Sequence, residues 1–142
     1  MRTPSRRFAS AGLAVALLAL AACSDDRSFT NEDLDATAWV SSSVEGETLV
    51  EGTQIDLAFQ DGQIAVNAGC NTMNGAYTLD NETLLVRNMA QTLQGCPDDL
   101  TAQDQWVLGL LESQPRLSLR GDELTMRGAE VDVTVVFDRA SP

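Results

Sequence analysis

Apolar and polar side chains alternate along most of the chain after residue 37, which is the signature of strands with one buried face. Trp39-Val40-Ser41-Ser42-Ser43-Val44 predicts a first strand. Over residues 54–59, Ile55, Leu57 and Phe59 fall on one side. Asp61-Gly62 follows, a dipeptide favoured in two-residue hairpin turns. Ile64, Val66 and Ala68 alternate on the return, and Tyr77 and Leu79 continue the period. Asp80-Asn81 suits a turn, after which Leu84 and Val86 resume. The pattern predicts an antiparallel meander.

The period then changes. After Cys96-Pro97, the residues Leu100, Gln103, Val107, Leu110 and Leu111 lie at helical spacing. Asp98 or Asp99 suits a cap, acids in a first turn complement the helix dipole, and Pro115 stops the helix. Leu117 and Leu119 alternate again, Gly121-Asp122 turns, and Leu124 and Met126 follow. Val131, Val133, Val135 and Phe137 predict the last strand. The expected fold class is therefore α+β, mostly β: an antiparallel barrel-like or two-layered sheet with one helix over residues 98–113.

The amino end follows a different logic. Arg2, Arg6 and Arg7 form a basic head, and residues 11–22 carry no charge. That apolar run is too short to span a bilayer, which takes about 20 residues, and it matches a secretory signal peptide. It ends Leu20-Ala21-Ala22-Cys23, with Ser24-Asp25-Asp26 behind it. This resembles the bacterial lipobox, in which the Cys is diacylated on sulfur and becomes the first mature residue. The resemblance implies a signal peptide at 1–22, lipidation of Cys23, and extracytoplasmic anchoring to the bacterial cell membrane or outer membrane. Residues 23–37 are polar and acidic and are expected to be a tether, with 24–35 flexible. Fully stretched, that tether reaches about 40 Å. One domain is expected over 38–140.

Removing the signal takes three of the nine basic residues and none of the 21 acids. Six basic residues against 21 acids leave a net charge of −15, a surface that repels nucleic acid and anionic headgroups. The lipid must therefore hold the protein to the membrane. With Cys23 assigned to lipid, Cys70 and Cys96 remain, in a compartment where disulfides persist. A bond closing this loop should stabilise the fold by roughly 3.5 kcal/mol. The competing readings are two free thiols or a metal pair. The chain has no His, and two cysteines alone are a poor zinc site.

One segment, Gly69-Cys70-Asn71-Thr72-Met73-Asn74-Gly75-Ala76-Tyr77, is unlike a plain strand or turn. Gly-Cys-Asn, a short gap, then Gly-x-Tyr resembles the META domain, the family that includes HslJ-like lipoproteins. Thr92-Leu93-Gln94-Gly95-Cys96-Pro97 is similar to the family's second cysteine motif. Trp39 stands where the family places an early Trp. Family members often carry Glu at the helix start, where this chain has Ala102-Gln103. The resemblance covers residues 38–139 and implies roles in envelope stress, heat or antibiotic tolerance, without a defined chemistry. Read physically, Gly69 and Gly75 permit unusual backbone angles, and Asn71 and Asn74 bond to nearby backbone. The segment reads as a structural corner, with a ligand-binding loop as the alternative.

Catalytic constellations are scarce. Without His or Lys there is no Ser-His-Asp triad, Cys-His pair, Ser-Lys dyad or Schiff base. Asp25-Asp26, Asp98-Asp99 and Asp122-Glu123 sit at a tether, a cap and a turn, where solvated acids are normal. Asp56 and Asp61 bracket a strand. No cofactor, metal or catalytic residue is expected, and the disulfide is expected to be structural, since redox-active pairs are usually close in sequence. The expectation is a non-enzymatic lipoprotein. A carrier of a small apolar ligand in a β-barrel and a carboxylate-based hydrolase are the alternatives. An envelope protein is the candidate partner, with Trp106 as the candidate contact.

Overall fold

The computed structural model describes residues 28–141. The signal segment and Cys23 lie outside the described residues. Among the described residues no helix is long and apolar enough to cross a membrane.

Eight antiparallel strands follow one another around a closed barrel: β1 (Thr37–Glu45), β2 (Asp56–Gln60), β3 (Gln63–Asn67), β4 (Thr72–Asp80), β5 (Thr83–Gln91), β6 (Arg116–Arg120), β7 (Glu123–Arg127) and β8 (Thr134–Arg139). Alternation forms them, and register aligns their apolar faces. Leu57 pairs with Val66, Phe59 with Ile64, Leu117 with Met126 and Leu124 with Phe137. All eight are buried, so cross-strand apolar pairs supply much of the sheet's stability. Trp39, Phe59 and Phe137 are the largest buried side chains, and an eight-stranded barrel is just wide enough to be filled this way. The antiparallel, mostly β expectation holds, and the sheet closes as a barrel.

Hairpin chemistry sets the register. Asp61 and Gly62 both take positive φ, 51° and 72°, as the tight primed turn requires. The β4–β5 turn falls one residue later than expected, with Asn81 and Glu82 at positive φ. Closure between β5 and β6 is thin. Thr83 opposite Arg116 is the one ladder pair there, extended by Leu84 N–H to Pro115 O at 2.9 Å and Leu117 N–H to Glu82 O at 2.7 Å.

Helix α2 (Asp98–Glu112) is inserted between those two strands in sequence. Gln103, Asp104, Val107, Leu110 and Leu111 form its buried face, a stripe at helical spacing. Pro97, not an Asp, holds the cap position; Asp98 and Asp99 still lie in the first turn, where the dipole favours them. Gln114 at φ 56° ends the helix before Pro115.

Two stretches differ from expectation. The segment read as tether contains a short helix, α1 (Asn31–Leu34), whose Leu34 is wholly buried. Asp33 accepts from Thr30 N–H at 2.7 Å, and Asn31 Oδ1 accepts from Leu79 N–H at 2.7 Å. One buried leucine and these bonds dock the polar segment. At the other end, Val131 lies in the loop before β8 and is 36% exposed. Gly128 N–H bonds to Val133 O at 2.9 Å, so a loop takes the place of the first residues of the expected strand.

Candidate functional site at the stapled mouth of the barrel

Register separates the barrel's two ends. The β2–β3 and β4–β5 turns and α1 lie at one end. The loops 46–55, 68–71, 92–97 and 128–133 gather at the other, under α2. Cys70 and Cys96 are joined there in a disulfide with Cα atoms 6.2 Å apart, so the β3–β4 loop is tied to the segment entering α2. Both cysteines are half-buried.

Asn71 is the hub. Its side-chain oxygen accepts from Thr92 Oγ1 at 3.0 Å and from Gln94 N–H at 2.9 Å. Its backbone N–H and Nδ2 both donate to Asp104 Oδ2, at 3.1 and 2.9 Å. Nδ2 also lies 3.4 Å from Cys96 Sγ. Gln103 makes a second tie. Its Oε1 accepts from Val50 N–H at 2.6 Å, and its Nε2 donates to Thr53 Oγ1 at 2.9 Å and to Ala68 O. Adjacent polar residues of α2 thus latch two separate loops, and both are about 1% exposed. Buried polar groups demand such partners. Asp104 Oδ1 is the exception: it is buried with no hydrogen-bond partner among the described residues.

The glycines explain themselves sterically. Gly69 sits at φ +115°, and a Cβ there would lie 3.3 Å from Leu100 and Thr53. Gly75 is at a bulge of β4 against β5, where a Cβ would lie 2.9 Å from Arg87 O and collide with Met89 Sδ. The stretch expected to be no plain strand is therefore continuous strand from Thr72 onward, with a bulge against β5 at Gly75.

Tyr77, the end of the motif, points elsewhere. It packs edge-on against Phe59 with ring centroids 4.8 Å apart, and its hydroxyl lies 3.5 Å from Asn31 O beside α1. Burial, with Asp35 adding to it, raises its pKa above the ordinary 10.0. Trp39 is core, its Nε1 donating to Thr37 Oγ1 at 2.7 Å, with the Arg139 guanidinium 4.4 Å over its ring. Trp106, the expected partner contact, is half-buried against the core. Leu93 is far more open than Trp106: it is 96% exposed, between two residues that Asn71 pins.

The structure therefore brings Gly69, Cys70, Asn71 and Cys96 together and leaves Gly75 and Tyr77 apart from them. Sequence reasoning missed Gln103's and Asp104's latching roles and the exposure of Leu93. Asp104 was legible in principle: Asp104, Val107 and Leu111 continue the apolar stripe, and a carboxylate on such a stripe needs a partner.

A filled eight-stranded antiparallel barrel, stapled at its mouth and covered by one helix, defines the structural class. The META domain family matches residues 32–141, and the chain belongs to that family. A protein from Burkholderia xenovorans solved by NMR has a similar structure, with TM-score 0.66 and 20% identity over 79% of this chain and 87% of its own. A second NMR structure matches at TM-score 0.64 and 23% identity, covering 78% and 94%. A crystal structure of a duf4847 family protein from Bacteroides vulgatus matches at 0.58 and 11%, covering 79% and 98%. At these identities the likeness is one of fold. No curated protein matches the chain.

Proposed function

We propose that the protein is exported and lipid-anchored at Cys23, and that its META barrel is a non-enzymatic interaction module acting in envelope stress, heat or antibiotic tolerance. The observation that carries the non-enzymatic reading is that the motif's side chains are engaged with one another. Cys70 bonds Cys96, and Asn71 bonds Thr92, Gln94 and Asp104. A motif so committed supports a scaffold better than a ligand-binding loop. Export is supported by Leu20-Ala21-Ala22-Cys23 and by a disulfide of the kind that persists in oxidising compartments.

The alternatives find less support. An apolar carrier needs an unfilled lumen, and this core is packed with aromatic and branched side chains. An open depression of about 310 Å³ does exist, but Ala38, Val40, Ala58 and Ala65, on its lining, are outward-facing positions of the wall. For a hydrolase, Asp35 and Asp61 border one depression with Tyr77, yet Asp35 Oδ1 is occupied by Asp61 N–H at 2.6 Å.

Replacing Cys23 with Ala should move the protein from the membrane to the soluble envelope or medium; continued tight membrane association would contradict the anchor. A photo-crosslinking residue at Leu93 in intact cells should capture an envelope protein. Hydrolytic turnover, or one-to-one uptake of a fatty acid by the purified protein, would contradict the interaction reading.

A further inference from the structure

We propose that reducing the Cys70–Cys96 disulfide turns the barrel mouth into a site for one thiophilic divalent cation, held by the two cysteine sulfurs and Asp104. One donor atom from each of these residues lies within 4.8 Å of the other two. Donors around a tetrahedral ion of zinc's size stand about 3.5 to 3.8 Å apart. Rotation of freed cysteine side chains on Cα atoms 6.2 Å apart covers that difference.

Asp104 supplies the independent observation. It is 1% exposed. Its Oδ2 accepts two N–H groups of Asn71, while Oδ1 is buried and unpartnered. A buried oxygen without a donor is costly, and a cation held by the Asp104 carboxylate would offset that cost. Asn71 would act from the outer shell. Its Nδ2 orients the carboxylate and lies 3.4 Å from Cys96 Sγ, the kind of support that tunes metal sites. Two thiolates select zinc-like or cadmium-like ions over magnesium or calcium. Three protein ligands leave a fourth position for water.

The redox step needs a dithiol reductant. Its thiolate attacks one sulfur of the half-buried disulfide, and a mixed disulfide forms. Its second thiolate then releases the protein and closes the reductant's own disulfide. Two electrons and two protons end on Cys70 and Cys96. Cation binding displaces the two thiol protons.

The test uses the purified chain carrying Cys23→Ala, so that Cys70 and Cys96 are its remaining cysteines, with Cd²⁺ as probe and excess Mg²⁺ to occupy surface carboxylates. The oxidised protein should show no thiolate-to-cadmium absorption. The reduced protein should bind one Cd²⁺ with that absorption and unfold at a higher temperature when loaded. If reduction loosens the fold, Cd²⁺ should restore its circular dichroism. Asp104→Asn, reduced and with two titratable thiols, should bind Cd²⁺ more weakly by at least the roughly 10- to 100-fold that loss of an outer-shell partner costs. A reduced chain that neither shows the band nor regains structure overturns the proposal. Unchanged affinity in Asp104→Asn also overturns it, because a merely structural Asp104 would alter stability and leave the affinity alone.

Discussion

The two ends of the barrel are held by different forces. At the mouth, ties cross long stretches of chain: the disulfide spans 26 residues, Asn71 to Asp104 spans 33, and Val50 to Gln103 spans 53. They are covalent or buried and polar, and they leave little slack. The opposite end is closed by tight turns, by Leu34 and Tyr77 packed into the core, and by solvent-facing ion pairs such as Arg116–Glu82 at 2.8 Å. Water can replace a lost exposed bond and cannot replace a lost buried one. The same count of broken contacts should therefore cost far more at the mouth.

The largest effect expected is at Asn71. Asn71→Ala strips the side-chain donor from the Asp104 carboxylate, removes the acceptor of Gln94 N–H, and leaves Thr92 held by Thr72 alone. Leaving a buried polar group unsatisfied costs about 1 to 3 kcal/mol, more for a carboxylate, and the losses at Asp104, Thr92 and Gln94 combine, read as a drop in unfolding free energy in urea. Next is the staple. Replacing both cysteines with Ala should cost roughly 3.5 kcal/mol by loop entropy, with a domain that still folds at moderate temperature. Non-reducing mass spectrometry of the exported protein should show no free thiol at Cys70 or Cys96.

The far end should respond weakly. Tyr77 is the chain's single tyrosine, so its phenolate absorbance is unambiguous. Its folded pKa is raised by burial and then by Asp35. The native state thus holds the proton more tightly than the unfolded state. The associated stability is fully present below pH 10.0 and is lost as pH rises through the folded pKa. Phenolate should appear later in the folded protein than in urea, and Tyr77→Phe should remove this alkaline loss. The smallest effect is expected at Glu82. Glu82→Gln breaks a pair whose Arg116 is 70% exposed, and such pairs contribute about 0 to 1 kcal/mol. A loss at Glu82 rivalling that at Asn71 would erase the contrast between the ends.

How much of this was legible in the sequence divides along the same line. Period-two runs around Leu57, Ile64, Leu117 and Leu124 located strands, because a strand with one buried face must alternate. Asp61-Gly62 announced its own turn. The helix stood out because Val107, Leu110 and Leu111 abandon that period. Closure was not legible. Alternation reports which face is buried but not that β8 pairs with β1 around a bulge at Ser41–Ser43. Leu34 was hidden as one apolar residue in an acidic stretch. At the mouth, the cysteine count and the Gly-Cys-Asn motif marked the staple. The partners of Asn71 did not show, since a hydrogen bond across 33 residues leaves no periodicity.

The central claim is that the Gly69–Cys70–Asn71 corner is a staple held by Asn71 against Asp104. A double-mutant cycle on Asn71→Ala and Asp104→Ala, read by urea unfolding of the oxidised protein, tests it most directly. The account predicts strong coupling, on the order of 1.5 to 3 kcal/mol, with the double variant losing much less than the sum of the singles. Additivity within about 0.5 kcal/mol would contradict it, since two residues that do not lean on each other cannot form the staple.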